Sequence, residues 1–181
     1  FPELNAFRRG LSLVVLDEII VVVLLERTIA GQSAVAYLPI RQADTKSLRD
    51  ITREIRAEQS AAPRVLPGQR WLERIPPLLV LPVMRWASHS IGWALRFGTA
   101  VVNNVGFGDL TGWGLAPGAG TVAVTIGGIS PRDQPDGTQR RIAHLTLAFD
   151  HDVVDGAPAA RFTARLLHHL ASAETADIPL I

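Results

Sequence analysis

The 181 residues contain no cysteine. That removes disulfides, thiolate metal ligands and a cysteine nucleophile together, and it fits a reducing compartment. Neither sign of charge is in excess, since 18 Lys and Arg stand against 17 Asp and Glu for a net charge of +1. No field suited to nucleic acid is therefore present, and no basic run stands out. A membrane-spanning run is also lacking. Asp17 and Glu18 interrupt the apolar stretch from Leu11 to Arg27 and leave Ile19 to Leu25, far short of the roughly 20 residues a span needs. The first residues, FPELNAF, show neither a charged leader nor a cleavable apolar segment, so a cytoplasmic setting is expected. No internal repeat or low-complexity linker divides the chain, and residues 1–181 are expected to form one domain. What is abundant is apolar content, 48% of residues with a mean hydropathy of +0.21. This is enough for one sizeable core, with some apolar surface left to meet another subunit.

Along the chain, strand and helix patterns alternate. Leu11 to Arg27, LSLVVLDEIIVVVLLER, predicts two consecutive strands or one bent pair. Gly31-Gln32-Ser33 turns into a further strand over Ala34 to Ile40. Leu48, Ile51 and Ile55 then recur at helical spacing, predicting a helix to about Glu58 with Asp44 or Thr45 as its N-cap. Residues 61–97 form an unusually apolar segment holding three of the four tryptophans, Trp71, Trp86 and Trp93. Pro76, Pro77 and Pro82 break any single long helix there, so two short amphipathic helices are expected. Three destinations suit that apolar area: the core or a neighbouring subunit, a membrane interface, or a pocket for a hydrophobic acyl group.

The densest chemical signal lies near the C-terminus. Ile142 to Phe149 predicts a half-buried strand with Leu145, Leu147 and Phe149 on one face. Ala159, Phe162, Leu166, Leu167 and Leu170 predict a helix ending near Leu170. Between them stands Asp150-His151-Asp152-Val153-Val154-Asp155-Gly156, with Gly156 read as the residue that permits the sharp turn. His151 would thus sit at the end of a rigid element, where an imidazole can take a proton near neutral pH, and Asp155 could fix the loop or the ring. The bare string by itself is more often a solvated or capping loop than a catalytic one.

The longer string FDHDVVDGAPAARFTARL closely resembles the active-site segment of the dihydrolipoamide acyltransferase (E2) core of 2-oxo acid dehydrogenase complexes, a family that shares its fold with chloramphenicol acetyltransferase. Three further segments are similar in the same order. FPELNA resembles the family's helix of hydrophobic-Pro-x-hydrophobic-Asn pattern, LPIRQADTKSL its strand-to-helix passage, and GTAVVNNVGFG its Gly-Thr-Phe-Thr-x-Ser-Asn-x-Gly segment, followed by the strand VAVTIGGIS. The resemblance covers most of the chain apart from residues 61–97. It implies a two-layer α/β fold, a mixed sheet with helices packed on it, and the family's opening helix and strand and its lipoyl-bearing and subunit-binding domains are not expected within these residues.

The activity it implies is coenzyme A-dependent acyl transfer to a dihydrolipoyl-type thiol, with acyl-CoA as substrate, the lipoyl group carried by a partner domain, and no metal. His151 would be the general base, Asp155 and Gly156 would complete its loop, and Asn103 and Asn104 would lie at the substrate. Two departures matter. Asn103 stands where the family has its serine, so an amide replaces a hydroxyl as oxyanion donor, and Asp152 stands where arginine is common after the histidine, which would put a carboxylate beside the base at the substrate site. Asn103 and Asn104 also read as a turn pair. The implied partners are two further copies in a homotrimer or a larger core, with His151 and much of the thiol channel coming from different subunits, together with lipoyl-bearing and dehydrogenase components. The competing reading is a scaffold with the same fold and lost chemistry. His144, His168 and His169 are not expected to bind metal, and His89, between Ser88 and Ser90, suits a packing role better than a hydrolase site.

Overall fold

A computed structural model describes residues 1–29, 32–61, 76, 78–82, 90–106, 112–114 and 120–172. FPELN opens on a 3-10 turn, Pro2–Asn5, rather than an α-helix. Strands β1 (Ala6–Arg9) and β2 (Ser12–Val15) follow as a small antiparallel hairpin. This is a finding the sequence did not announce, because only β2 lies inside the Val-rich stretch. Then come β3 (Val21–Ile29), β4 (Gln32–Ile40), α1 (Leu48–Ser60), α2 (Ile91–Phe97), β5 (Ala100–Asn104), β6 (Val122–Asp133), β7 (Gln139–Phe149) and α3 (Gly156–Ser172). Of the expected helices in the 61–97 segment, α2 and a helical stretch at 78–82 are described; Trp71, Trp86 and His89 lie outside the described residues.

Five strands form one mixed sheet in the order β4-β3-β5-β6-β7. The β3/β5 and β5/β6 pairs are parallel, whereas β3/β4 and β6/β7 are antiparallel. Register assigns each side chain to a face, because alternate residues of a strand point to opposite sides. Ala100, Val122 and Phe149 share one row, and that row packs with Leu4, Val153, Val154, Ala159 and Phe162, so the 3-10 turn and α3 cover this face. Val22, Val101, Ala123 and Ala148 form the next row on the opposite face, against Phe97 of α2. Arg27 belongs to the α3 face and reaches Glu58 of α1 at 2.8 Å while also donating to the Ala61 carbonyl, which clasps α1 over β3.

The cap of α1 is neither Asp44 nor Thr45 but Ser47, whose hydroxyl oxygen accepts from the Asp50 amide at 3.2 Å and donates to the Asp50 carboxylate at 2.6 Å. Thr45 is spent on the turn before it, donating to the Gln42 carbonyl at 3.0 Å. The Ser47 hydroxyl, aided by Arg53, holds the Asp50 carboxyl below its ordinary 3.8. A depressed carboxyl stabilises the fold above its unfolded value and loses that contribution as pH falls through the folded one, so Asp50 helps at neutral pH and ceases to do so in acid, below about 4. Ser47→Ala is expected to cost about 1 kcal/mol in urea unfolding at pH 7, the usual effect of removing an N-cap.

Glycines do specific work where backbone passes backbone. Gly98 enters β5 at φ +66°, and a Cβ there would overlap the carbonyl of Ile20, itself fully buried. Gly98→Ala therefore carries both conformational strain and a clash that no flexible side chain can relieve, and should lower unfolding free energy by about 2–4 kcal/mol. A second crossing lies at the β6 bulge, where the register with β7 shifts between Ile126 and Ile129. Gly127 meets the carbonyl of Gly112, the Gly128 amide donates to that same carbonyl at 2.9 Å, and Gly106 meets the carbonyl of Gly127. Gly106 and Gly127 thus let backbone pass close to backbone, where a side chain would not fit.

Candidate active site

The turn carrying His151 is built by Asp150. Its amide donates to the Thr121 carbonyl at 2.9 Å, its carbonyl accepts from Val153 and Val154 at 3.0 and 2.9 Å, and its side chain accepts from the Asp152 amide at 3.0 Å. Val154 is buried beneath the turn in the α3 core cluster. Four residues are thereby wound tightly with the His151 side chain left outside. Gly156 is not what permits this turn: it is the first residue of α3, its φ is not in the left-handed region, and a Cβ on it would meet open space. The turn is made by aspartate hydrogen bonding, which needs no glycine. Asp150 went unremarked in the sequence because it stands amid two other aspartates, although an aspartate heading a turn is itself a signal.

His151 has 83% of its side chain exposed and Asp155 88%, and Nδ1 lies 4.0 Å from Asp155 Oδ1. That is too long for a hydrogen bond, so the carboxylate faces the imidazole without orienting it. Asp152 pairs with Arg8 of β1 at 2.6 Å. The expected carboxylate beside the base is therefore matched by a guanidinium from the hairpin. Arg8 was not anticipated, and nothing in the sequence joins two residues so distant along the chain.

Asn103 and Asn104 end β5. Asn104 is exposed and its side-chain oxygen accepts from the Gly106 amide at 3.0 Å, which is a turn role. Asn103 is half-buried and lies on the sheet face of Val101 and Ala123, opposite Thr125, which in turn lies opposite Thr146. Register then separates it from His151. Thr146 is three residues before the end of β7, about 10 Å along the strand, and β7 is two strands, about 10 Å, across from β5. Since β7 runs antiparallel to β5 and β6, His151 projects from the end of the sheet where β5 begins, while Asn103 sits where β5 finishes. One chain does not bring the two together.

His144 has its own partners, the Ser130 hydroxyl at 3.1 Å and the edge of Trp113 at a ring separation of 4.9 Å. Among the described residues no group of three His, Asp or Glu side chains could hold a metal ion, and no helix is long and apolar enough to cross a membrane.

Residues 98–177 match the sequence profile of the 2-oxoacid dehydrogenases acyltransferase (catalytic domain) family. The match begins at Gly98 and takes in β5, β6, β7, the His151 turn and α3. No curated protein matches the sequence significantly. Among solved structures, a probable dihydrolipoamide acetyltransferase from Listeria monocytogenes is 21% identical, with a TM-score of 0.63 over 100% of this chain and 68% of that one. The cubic core of the pyruvate dehydrogenase multienzyme complex is 21% identical at a TM-score of 0.54, over 91% of this chain and 59% of that one. Azotobacter vinelandii dihydrolipoamide acetyltransferase gives 21% identity and 0.52 over the same shares. For that enzyme a serine, a histidine and an asparagine four positions beyond the histidine have been investigated for roles in the catalytic mechanism. The chain thus spans less than two thirds of the length of the latter two. Residues 98–177 thus match the catalytic domain of the 2-oxoacid dehydrogenase acyltransferases, and along the chain the fold is similar to that of the dihydrolipoamide acetyltransferases.

Proposed function

We propose that the protein moves an acyl group between coenzyme A and a dihydrolipoyl-type thiol, with His151 as general base. The observation that carries this reading is the turn itself, which winds four residues around Asp150 and leaves an exposed imidazole within 4.0 Å of a carboxylate four positions on. The histidine-to-asparagine spacing investigated in the Azotobacter enzyme is the same four positions, with Asp155 here where an asparagine stands there. In the reaction, the attacking thiol gives its proton to His151 and the thiolate adds to the thioester carbonyl. The oxyanion that forms accepts a hydrogen bond from the Asn103 amide, and collapse expels the second thiolate, which recovers the proton. No covalent acyl-enzyme is needed. One substrate arrives as a thioester and the other as a free thiol, with the lipoyl group on a partner domain, in a cytoplasmic setting.

The same reading requires more than one copy. Asn103 and His151 lie at opposite ends of the sheet, so a site that uses both takes them from different chains arranged head to tail, as in a closed homotrimer. Exposed Leu11, Leu13 and Val15 on the hairpin and Val35 and Tyr37 on the edge strand β4 supply apolar surface for such an assembly. The test is formation of free CoA and S-acetyldihydrolipoamide from acetyl-CoA and dihydrolipoamide, followed by chromatography. Absence of turnover in folded, assembled protein would leave the scaffold reading, which the amide at position 103 and the open His151–Asp155 contact favour.

A further inference from the structure

We propose that Arg8 is a positioning residue for His151, acting through an ion pair with Asp152 whose two ends can be exchanged. The inference rests on the reading of His151 as the base. The imidazole's contact with Asp155, at 4.0 Å, does not orient it, so the direction of the ring follows from the backbone of the turn. That backbone is held from within by Asp150 and from beneath by Val154. The remaining hold comes from outside, where Arg8 Nη1 donates to Asp152 Oδ2 at 2.6 Å.

Arg8 is itself braced. Its Nε donates to the Gly10 carbonyl at 2.9 Å, at the tip of the hairpin, which fixes the plane of the guanidinium. The root of the hairpin is tied to the core, because the Thr121 hydroxyl donates to the Ala6 carbonyl, the Leu16 amide donates to the Asn5 carbonyl at 2.8 Å, and the Asn5 amide nitrogen donates to the Leu16 and Glu18 carbonyls at 2.7 and 3.1 Å. Thr121 is the same residue whose carbonyl accepts from Asp150. The hairpin and the turn thus grow from one buried threonine, and the Arg8–Asp152 pair closes the loop between them.

The side chains of the pair are 45% and 64% exposed, so it adds little to global stability. Its work is local, on one residue next to His151. In this chain the acid is in the turn and the base on the hairpin. Arg8→Asp alone sets two carboxylates facing each other, Asp152→Arg alone sets two guanidiniums, and the double exchange restores attraction with an arginine after the histidine.

The experiment measures kcat, KM for acetyl-CoA and dihydrolipoamide, thermal midpoint and nitrogen-15 relaxation of the 151–153 amides in the full chain and in Arg8→Asp, Asp152→Arg and the double variant, with His151→Ala as reference. Each single variant is expected to lose about five- to tenfold in kcat with KM within about twofold, and the double to return to within about twofold of native, the behaviour of a directly coupled pair. Midpoints stay level, and the 151–153 amides gain motion in the singles and lose it again in the double. Losses that multiply in the double variant, singles that lose nothing, or an effect carried by KM or by the midpoint would overturn the proposal. If the native chain and His151→Ala are equally inactive, the functional reading falls by itself. The amides then decide for Arg8, which stands if their order is lost in the singles and restored in the double and falls if it is not.

Discussion

The His151→Ala chain is expected to form S-acetyldihydrolipoamide about a thousandfold more slowly than the native chain while unfolding at the same temperature. Both halves of that result follow from one geometry. The ring is 83% exposed and the turn that carries it is held by Asp150, Val154 and the Arg8–Asp152 pair, so removing the ring takes away a base without opening the core. Without the imidazole, thiolate must come from the small fraction ionised in solution, and the proton released in attack has no positioned acceptor. A stability scan beside the rate measurement separates this from a folding defect. A His151→Ala chain as fast as native would remove the imidazole from the mechanism.

The second large effect is recovery by mixing. His151→Ala and Asn103→Ala are each expected to be nearly inactive alone, the latter through loss of an oxyanion donor worth about a hundred- to a thousandfold. When the two chains are unfolded together and reassembled, activity should return to about a quarter of native, because in a head-to-tail ring each site draws its histidine and its asparagine from neighbouring copies, and random assembly joins two intact residues at one site in four. The basis is register. Asn103 is opposite Thr125 and Thr146, and from Thr146 the chain runs on through Phe149 to His151, away from Asn103. A site contained within one chain would give no recovery, since every chain in the mixture carries one defect. The mixing result therefore reports on where the site is, and the single variants on what each residue does.

Much of this molecule could be read from local pattern. Val-rich runs gave β3 and β4, helical spacing gave α1 and α3, and a histidine in an aspartate-rich loop between strand and helix marked the turn that the structure places at the sheet end. These are short-range statements, governed by side-chain period and by hydrogen bonds between near neighbours. Even there the finer choices failed where two polar residues competed. Ser47 caps α1 although Asp44 and Thr45 precede it, and Asp150 winds the turn that Gly156 was expected to permit.

What the sequence determined by itself was the alternation of strand and helix and the place of the histidine-bearing loop between them, because both depend on residues within a few positions of one another. What only the tertiary structure decided was pairing across the chain. Asp152 answers to Arg8, 144 positions away, and Asn103 and His151 are set apart by the order and direction of three strands. Strand order and register arise when separate segments bury their apolar faces together, and no local period encodes which segment lies beside which.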